Sequence, residues 1–536
     1  MSKQIKFDCG CSFDYIDGSV VFSADLTKLN LSCEKTWDLI SAGNTKGCFQ
    51  LESRLGQMTA KKLKPQNIEQ LSALIAIIRP GCLEAVRDGK SVTDHYIDKK
   101  NGLESVDIFH PALGPALLNT YGEMIYQEQA MQITRDIAGF DLKEADMLRK
   151  AIGKKKPEEM SKIKTRFLEG CSALNIVSQD EAEEIFSWIE KSQRYSFNKS
   201  HSISYAMNGY LSAYAKAHFP KVFFASYLKY AKDKIDPKQE IKELVKNASE
   251  MDISVKIPDL RLMNRFFEIH NDDIIFGLTD IKGVGQSIFD KLELLTSNID
   301  LYSVSWPSLL LKILVNINST AAKAIISSGA IDFIKKNRTE MLFDFENISQ
   351  LTTKEIEKCI DISQNNQNAD IISILRKLIT ESKITTKRKT SISSIIDSLL
   401  NPPYSLIDKI EWLSDSEDTL LGCSITCSKL DTYDISMTNS NCKQFKTCIS
   451  NKNIIIAGEI ININTTKTKR GKTKGLDMAF VSIEDQFGIL DSVVLFPEQY
   501  QKYKHQLFNS NILIFVGNKN KTGDGLIVDK CFMPAS

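Results

Sequence analysis

A chain of 536 residues is long enough for three or four domains. Its formal net charge of +1 gives no global pull on nucleic acid, so any contact with DNA must come from local basic patches. No apolar run is long enough to span a bilayer, the polar start Met1-Ser2-Lys3 is no secretory signal, and the 12 scattered cysteines point to reduced thiols in a cytoplasm.

In residues 1–43, Phe13–Ile16 and Val20–Phe22 flank Asp17-Gly18, which predicts a small hairpin. Cys9-Gly10-Cys11 is half of a metal-ligand pattern with Cys33 as a distant third thiol. A fourth ligand at recognisable spacing is missing, so no metal is assigned and the pair reads as a tight turn. Residues 46–135 read as mostly helical. Leu71, Leu74, Ile75 and Ile78 recur at helical spacing, and Arg79-Pro80-Gly81 stops that helix in a turn that exposes Arg79. Arg79 either reaches a phosphate with its planar fork or faces water. Lys99 and Lys100 stand beside an Asn101-Gly102 turn.

Asp141 and Glu144 have capping-box spacing, Ala145, Leu148 and Ile152 mark a buried stripe, and Gly153 is a helix stop. Arg149, Lys150, Lys154, Lys155 and Lys156 then put five cations in eight residues. They complement a helix C-terminus, or they await an anion that relieves their repulsion. Ser178 and Glu181 cap a helix whose inner face is Ala182, Ile185, Phe186 and Ile189. The run Arg194-Tyr195-Ser196-Phe197-Asn198-Lys199-Ser200-His201-Ser202 follows, then a helix with Ile203, Ala206, Met207, Tyr210, Leu211 and Tyr214 on one face, ending before Pro220. Lys199 and His201 thus lie at a helix N-terminus, where free N–H groups and the dipole favour a phosphate, or where an ordinary N-cap sits beside a surface lysine.

Ile253–Ile257 reads as a short strand before Pro258. Phe276-Gly277-Leu278-Thr279-Asp280-Ile281-Lys282-Gly283-Val284-Gly285 is a helix–hairpin–helix signal, with Gly283 and Gly285 turning the backbone and a helix from near Gln286 offering N–H groups to a DNA phosphate. Residues 340–450 are dominated by Asn, Ser, Thr, Lys and Ile. Ile454–Glu459, Met478–Glu484, Ser492–Phe496 and Ile512–Val516 are strand-like, with Lys467, Lys469, Arg470, Lys472 and Lys474 in the loop between the first two. Phe480 and Phe487 either offer stacking faces or fill a barrel, and for Phe480 the interior is expected.

Five runs occur together and in order: Gly47-Cys48-Phe49-Gln50-Leu51-Glu52-Ser53; Arg79-Pro80-Gly81; Tyr121-Gly122 with Tyr126-Gln127-Glu128-Gln129-Ala130-Met131; Ala145 to Lys155; and Phe197 to His201 with Tyr214 to Pro220. This set resembles the fingers domain of bacterial DNA polymerase III α subunits, the C-family replicative polymerases. The resemblance extends through 255–335 and again through 452–531. It implies a multidomain α+β fold: an N-terminal segment (1–43), helical fingers (44–270), a helix–hairpin–helix or clamp-binding-like domain (271–405), a linker (406–450) and an all-β OB-fold (451–536). Lys6-Phe7-Asp8 resembles a palm segment carrying an aspartate of the family, but the residues after it depart from the pattern.

The resemblance implies that Arg149, Lys199 and His201, with Lys154, Lys155 and Arg79, bind an incoming nucleotide triphosphate. Lys282, Gly283, Gly285 and the 467–474 loop cations would hold DNA. Ser394–Leu400 lies where the family carries a sliding-clamp peptide, without its glutamine or aromatic residue. The Mg2+ of nucleotidyl transfer needs a carboxylate cluster, and the sequence has no Asp-x-Asp. The expectation is therefore a polymerase portion whose palm comes from another polypeptide, as in a phage-type split polymerase, and which is inactive alone. A DNA-binding replication accessory that has lost the enzyme is the alternative.

Overall fold

The computed structural model describes residues 3–535 except 154–156, 193–194, 298, 365–368, 382–383, 448–451, 469–472, 521–522 and 524. Two compact units, Met1–Phe223 and Phe224–Ser536, divide the chain.

The first unit opens on an antiparallel sheet of β1 (Lys3–Lys6), β2 (Ser12–Ile16) and β3 (Ser19–Val21). The expected Asp17-Gly18 turn joins β2 to β3, with both residues at positive φ (49° and 82°), as a two-residue hairpin loop requires. Helices α1 (Glu34–Ser41), α2 (Arg54–Leu63) and α3 (Ile68–Ile77) follow. Arg79 is then the N-cap of α4 (Pro80–Glu84), with Pro80 at the first helical position. The Pro-Gly pair therefore starts a helix instead of making the expected exposed turn, because a proline without an N–H is at home there.

The hairpin β4 (Val86–Arg87) and β5 (Lys90–Ser91) leads to α5 (Val92–Lys100) and the short α6 (Gly114–Leu117). Next comes a bundle of α7 (Gln127–Ala138), α8 (Leu142–Gly153), α9 (Pro157–Leu174) and α10 (Gln179–Ser192). Ile133, Ile137, Leu148, Phe167, Ile185, Phe186 and Ile189 meet in its core. Each such side chain contributes roughly 1.5–3 kcal/mol on burial. Both predicted capping boxes form: the N–H groups of Glu144 and Glu181 donate to Asp141 Oδ1 (2.7 Å) and Ser178 Oγ (3.3 Å).

Helix α11 (Lys199–His218) is capped by Asn198 and packs on α3 and α1. Its buried stripe is Ser202, Ala206, Gly209, Tyr210, Ala213, Tyr214 and Ala217, while Ile203, Met207 and Leu211 are only half-buried. The face is rotated from the expected one because small residues let the helix approach closely. A Cβ on Gly209 would stand 3.0 Å from the Phe49 carbonyl oxygen, and Ser202 Oγ donates to the Ser72 carbonyl at 2.6 Å.

The division between units falls inside α12 (Pro220–Ala231). The expected fingers boundary at residue 270 lies beyond it, because Phe224, Leu228, Leu244 and Leu260 share one core with residues as far on as Leu421 and Cys423. That core is built from α13 (Pro237–Glu250), a three-stranded sheet of β6 (Val255–Lys256), β7 (Glu268–His270) and β8 (Asp273–Ile275), and a run of helices. These are α14 (Gln286–Thr296), α15 (Trp306–Asn316), α16 (Ser319–Ser327), α17 (Arg338–Ile348), α18 (Thr353–Gln364), α19 (Ile371–Glu381), α20 (Thr386–Leu400) and α21 (Ile410–Leu421). The expected linker, 406–450, carries α21 and a further short helix. Leu421 belongs to this core, and Phe445 of α22 (Cys442–Thr447) belongs to the next.

The chain ends in a closed five-stranded barrel: β9 (Ile454–Lys467), β10 (Asp477–Asp485), β11 (Gly488–Leu495), β12 (Ile512–Lys519) and β13 (Leu526–Phe532). The neighbours run β9, β10, β11, β13, β12 and back to β9, with β11 and β13 parallel and α23 (Pro497–Asn509) between β11 and β12. That is the partly Greek-key closure of an OB-fold.

Candidate functional site

The α7 and α11 N-termini are stitched together by a short parallel bridge between Tyr126 and Phe197. The Gln127 N–H donates to the Phe197 carbonyl at 2.9 Å, and the Phe197 N–H donates to the Ile125 carbonyl at 2.8 Å. Glu128, in the first turn of α7, then reaches across to α11. Its carboxylate accepts from the Lys199 N–H at 2.9 Å and from the Asn198 amide at 2.7 Å. Asn198 Oδ1 accepts the His201 N–H at 2.8 Å. The open phosphate seat expected at this helix end is thus partly closed. Two of its donors are satisfied by side chains, and one of those is already an anion at the positive end of the dipole.

The side chains remain on the surface side. Lys199 Nζ is 3.4 Å from the half-exposed Glu69 carboxylate and 5.7 Å from the Tyr126 ring centroid. The His201 ring stacks on Tyr205 at 4.0 Å and lies 5.4 Å from Phe197. The Arg79 guanidinium sits 4.0 Å over the Phe197 ring, with its Nε buried and without a hydrogen-bond partner. A cation on an aromatic face keeps its in-plane donors pointing outward. Arg79 and His201 therefore meet at Phe197, while Lys199 lies over Tyr126, the residue bridged to it.

Arg149 behaves differently. Its Nε and Nη2 both bond Asp146 Oδ1, at 2.9 and 2.8 Å, and Lys150 holds Asp146 Oδ2 at 2.7 Å. Asp146 supplies the anion that relieves part of the repulsion in this basic run, and the two cations hold its carboxyl below the usual carboxylate range. Among the described residues no hydrogen bond, ion pair or ring contact joins Arg149 to Lys199 or His201. Lys154 and Lys155 lie outside the described residues. Lys99, beside the Asn101-Gly102 turn, is buried against Glu123 at 2.9 Å, and Lys100 donates to the Lys64 carbonyl at 2.8 Å.

In the second unit, Lys282, Gly283 and Gly285 are exposed just ahead of α14, which begins at Gln286 as the motif predicts. Gly283 is at φ +95°, where a side chain is strained. Gly285 is extended, with open space where a Cβ would be, so only the first of the pair needs to be glycine. Gly285 caps α14 without a side-chain bond, leaving the first N–H groups of the helix facing solvent. On the barrel, Lys467 and Lys474 are exposed, while Lys469, Arg470 and Lys472 lie outside the described residues. Phe480 is 39% exposed on β10, paired across to Asn464 and Val494, and does not fill the barrel as expected. Its neighbours Ala479 and Val481 do, and strand alternation turns Phe480 outward. Phe487, 38% exposed, is in the β10–β11 turn.

Ile395 and Ile396, in the stretch where the clamp peptide would fall, are buried on α20, the inner face of an amphipathic helix that leaves Ser394, Asp397 and Leu400 exposed. A cleft of about 750 Å3 in the same unit is lined by Lys242, Lys246, Glu484 and Phe487, but both lysines are paired with Glu484. Glu128 stands within one of the motif runs, and its part as an acceptor beside the Asn198 cap of α11 emerges only in the fold.

A helical unit carrying a basic helix end, and a second unit running from helices to a closed OB-type barrel, define a multidomain α+β protein. Residues 13–175 match the bacterial DNA polymerase III alpha subunit finger domain. The chain is 30% identical over 493 residues to the DNA polymerase III subunit alpha of Aquifex aeolicus, covering 91% of this chain and 38% of that protein. It is 29% identical over 503 residues to that of Escherichia coli strain K12, covering 92% and 40%. With that of Caulobacter vibrioides it is 34% identical over 328 residues, covering 60% and 27%. The chain belongs to the DNA polymerase III α subunit family. It spans about two-fifths of the length of these first two relatives.

Proposed function

We propose that this chain is the fingers-to-barrel portion of a replicative DNA polymerase, binding the incoming dNTP and primer–template DNA for template-directed synthesis. The observation that carries the reading is the meeting of Arg79 and His201 at Phe197, beside the α11 N-terminus where Lys199 lies over Tyr126, the residue bridged to Phe197. A triphosphate would take over Lys199 from the half-exposed Glu69, an exchange of one surface ion pair for another that costs little. Arg149 would join by leaving Asp146, which makes it the more demanding member of the set.

Nucleotidyl transfer runs on Mg2+, a hard ion that wants oxygen ligands. Among the described residues, the group of metal-ligating side chains close enough to share an ion consists of three thiols and an imidazole, which do not suit it. Glu128 is committed to the Asn198 amide and the Lys199 N–H, and Glu69, once released from Lys199, would be a single carboxylate rather than a cluster. These residues do not fit Mg2+. The reading therefore places the transfer step on palm carboxylates outside this sequence and gives this chain the electrostatics and grip.

The helix–hairpin–helix turn and the barrel would hold DNA by its backbone, without reading sequence. The barrel face formed by β10 and β11, with the β9–β10 loop, is where OB-folds take single strands, and Phe480 stands on it.

The test is primer extension with this chain mixed with a palm-bearing polymerase III polypeptide. Lys199→Ala and His201→Ala are expected to raise the KM for dNTP or lower kcat by tenfold or more on the order of one hydrogen-bonded charge. Extension at unchanged KM and kcat by both variants would overturn the site. Failure of every palm-bearing polypeptide to restore extension, with DNA binding intact, would favour the accessory reading.

A further inference from the structure

The first unit gathers four soft-donor side chains that the nucleotide site does not use. Cys9 and Cys11 flank the β1–β2 turn, where Gly10 has φ +78°. Cys33 is the residue capping α1, and His218 is the last residue of α11. One donor atom from each, three sulfurs and an imidazole nitrogen, all lie within 4.8 Å of one another. Cys33 Sγ is 3.4 Å from His218 Nε2, and Cys9 Sγ is 3.9 Å from Nδ1.

Tetrahedral zinc, with Zn–S near 2.3 Å and Zn–N near 2.05 Å, has S···N edges of about 3.6 Å and S···S edges of about 3.8 Å. The cluster has that size. Cys11 and Cys33 are each 1% exposed and His218 is 7% exposed. Phe13 and Tyr214 wall the histidine, with ring centroids 5.2 and 4.4 Å from its own. The Asn30 amide donates to Cys11 Sγ at 3.5 Å, the kind of contact that steadies a thiolate.

An ordinary buried histidine keeps a carbonyl or carboxylate on at least one ring nitrogen. Here both nitrogens face thiols, which are weak partners for a buried polar ring.

We propose that Cys9, Cys11, Cys33 and His218 form a structural zinc site. Protein side chains fill all four positions, so no open position is left for water or substrate. On binding, the three thiols release their protons to solvent and bond the metal as thiolates, with one nitrogen of neutral His218 as the fourth ligand. The metal clamps the N-terminal hairpin and the start of α1 to the end of α11, closing a loop of 185 residues between Cys33 and His218.

The experiment is metal analysis of the full chain, produced in zinc-replete medium and purified without chelator. One zinc per chain is expected. Replacing zinc with Co2+ should give the intense visible bands of a tetrahedral, thiolate-rich site. Cys33→Ser and His218→Ala should each cut zinc content by about tenfold or more, while Cys359→Ser, a buried thiol elsewhere, should keep it. Should the cluster variants fail to fold, titrating the wild-type thiols with a mercurial still decides the matter by whether zinc is released in step. A folded wild-type chain without zinc and without a cobalt spectrum would overturn the proposal, as would a disulfide among Cys9, Cys11 and Cys33.

Discussion

Arg338 Nη1 donates to Glu417 Oε1 at 2.9 Å, joining α17 to α21 across 79 residues with both side chains almost fully buried. Asp332 takes the other edge of the guanidinium at 2.9 and 2.7 Å, and Glu417 also accepts from the N–H groups of Ile425 and Thr426. Each charge is thus paired and hydrogen-bonded, the condition for a buried ion pair to be tolerated. Glu417→Ala should destabilise the protein by about 3–5 kcal/mol, because it strands part of a buried positive charge. The check is the urea midpoint of the second unit's unfolding, with Asp361→Ala on the surface of α18 as a control that leaves it near the wild-type value.

Burial pushes the Asp280 carboxyl up to about 7, and its Oδ2 has no hydrogen-bond partner. An acid raised above its unfolded value of roughly 3.9 costs no stability below that pH. It costs progressively more as pH rises through about 7. Asp280→Asn should therefore stabilise the protein by about 2–4 kcal/mol at pH 8 and by little at pH 4. Thermal unfolding of both proteins across that range should show Tm values that converge on acidification.

Glu355 has the opposite sign. The Arg388 fork, at 2.8 and 2.7 Å, holds its carboxyl down at about 2. Its contribution is present above the unfolded carboxylate range of roughly 4.3 and is lost as pH falls from there toward about 2. Arg388→Ala should lower stability by about 1–3 kcal/mol at pH 7 and should flatten the acid limb of the stability curve. Chemical denaturation at pH 7, 4 and 3 reads both effects.

Phe480→Ala should weaken binding of single-stranded DNA by about 1–3 kcal/mol, the worth of one stacked base. Lys467→Ala and Lys474→Ala should instead weaken it evenly across sequences and reduce the slope of log affinity against log salt by about 0.7 each. Fluorescence anisotropy with labelled oligonucleotides from low to moderate salt separates the two effects. Phe480→Leu should recover the fold of the barrel but not the affinity.

Gly283→Ala places a Cβ at φ +95° and should cost about 1 kcal/mol or more in stability while weakening duplex binding. Gly285→Ala, in extended backbone with open space around it, should be near neutral for stability. Comparing the thermal midpoints of the two variants tests whether the turn or its composition matters.

Local signals were legible wherever neighbours in sequence are also neighbours in space. The capping boxes at Asp141 and Ser178, the Asp17-Gly18 hairpin, the helix from Gln286 and four of the five barrel strands follow from short-range backbone chemistry, and all of them form. The family could be read because its motifs are short runs in a fixed order. What the sequence by itself determined, then, was the kind and order of the elements and the basic character of the segments around Lys199 and Lys467. Only the tertiary structure decided which groups those elements bring to one another. Glu128 occupies the end of α11, Phe197 carries Arg79, Arg338 finds Glu417, and His218 meets three distant thiols. The physical reason is that caps and turns are set by interactions over three or four residues, whereas these contacts depend on how whole helices pack. A rotation of α11 by a fraction of a turn, driven by small residues such as Gly209, is invisible in a hydrophobic pattern yet selects every partner along its length.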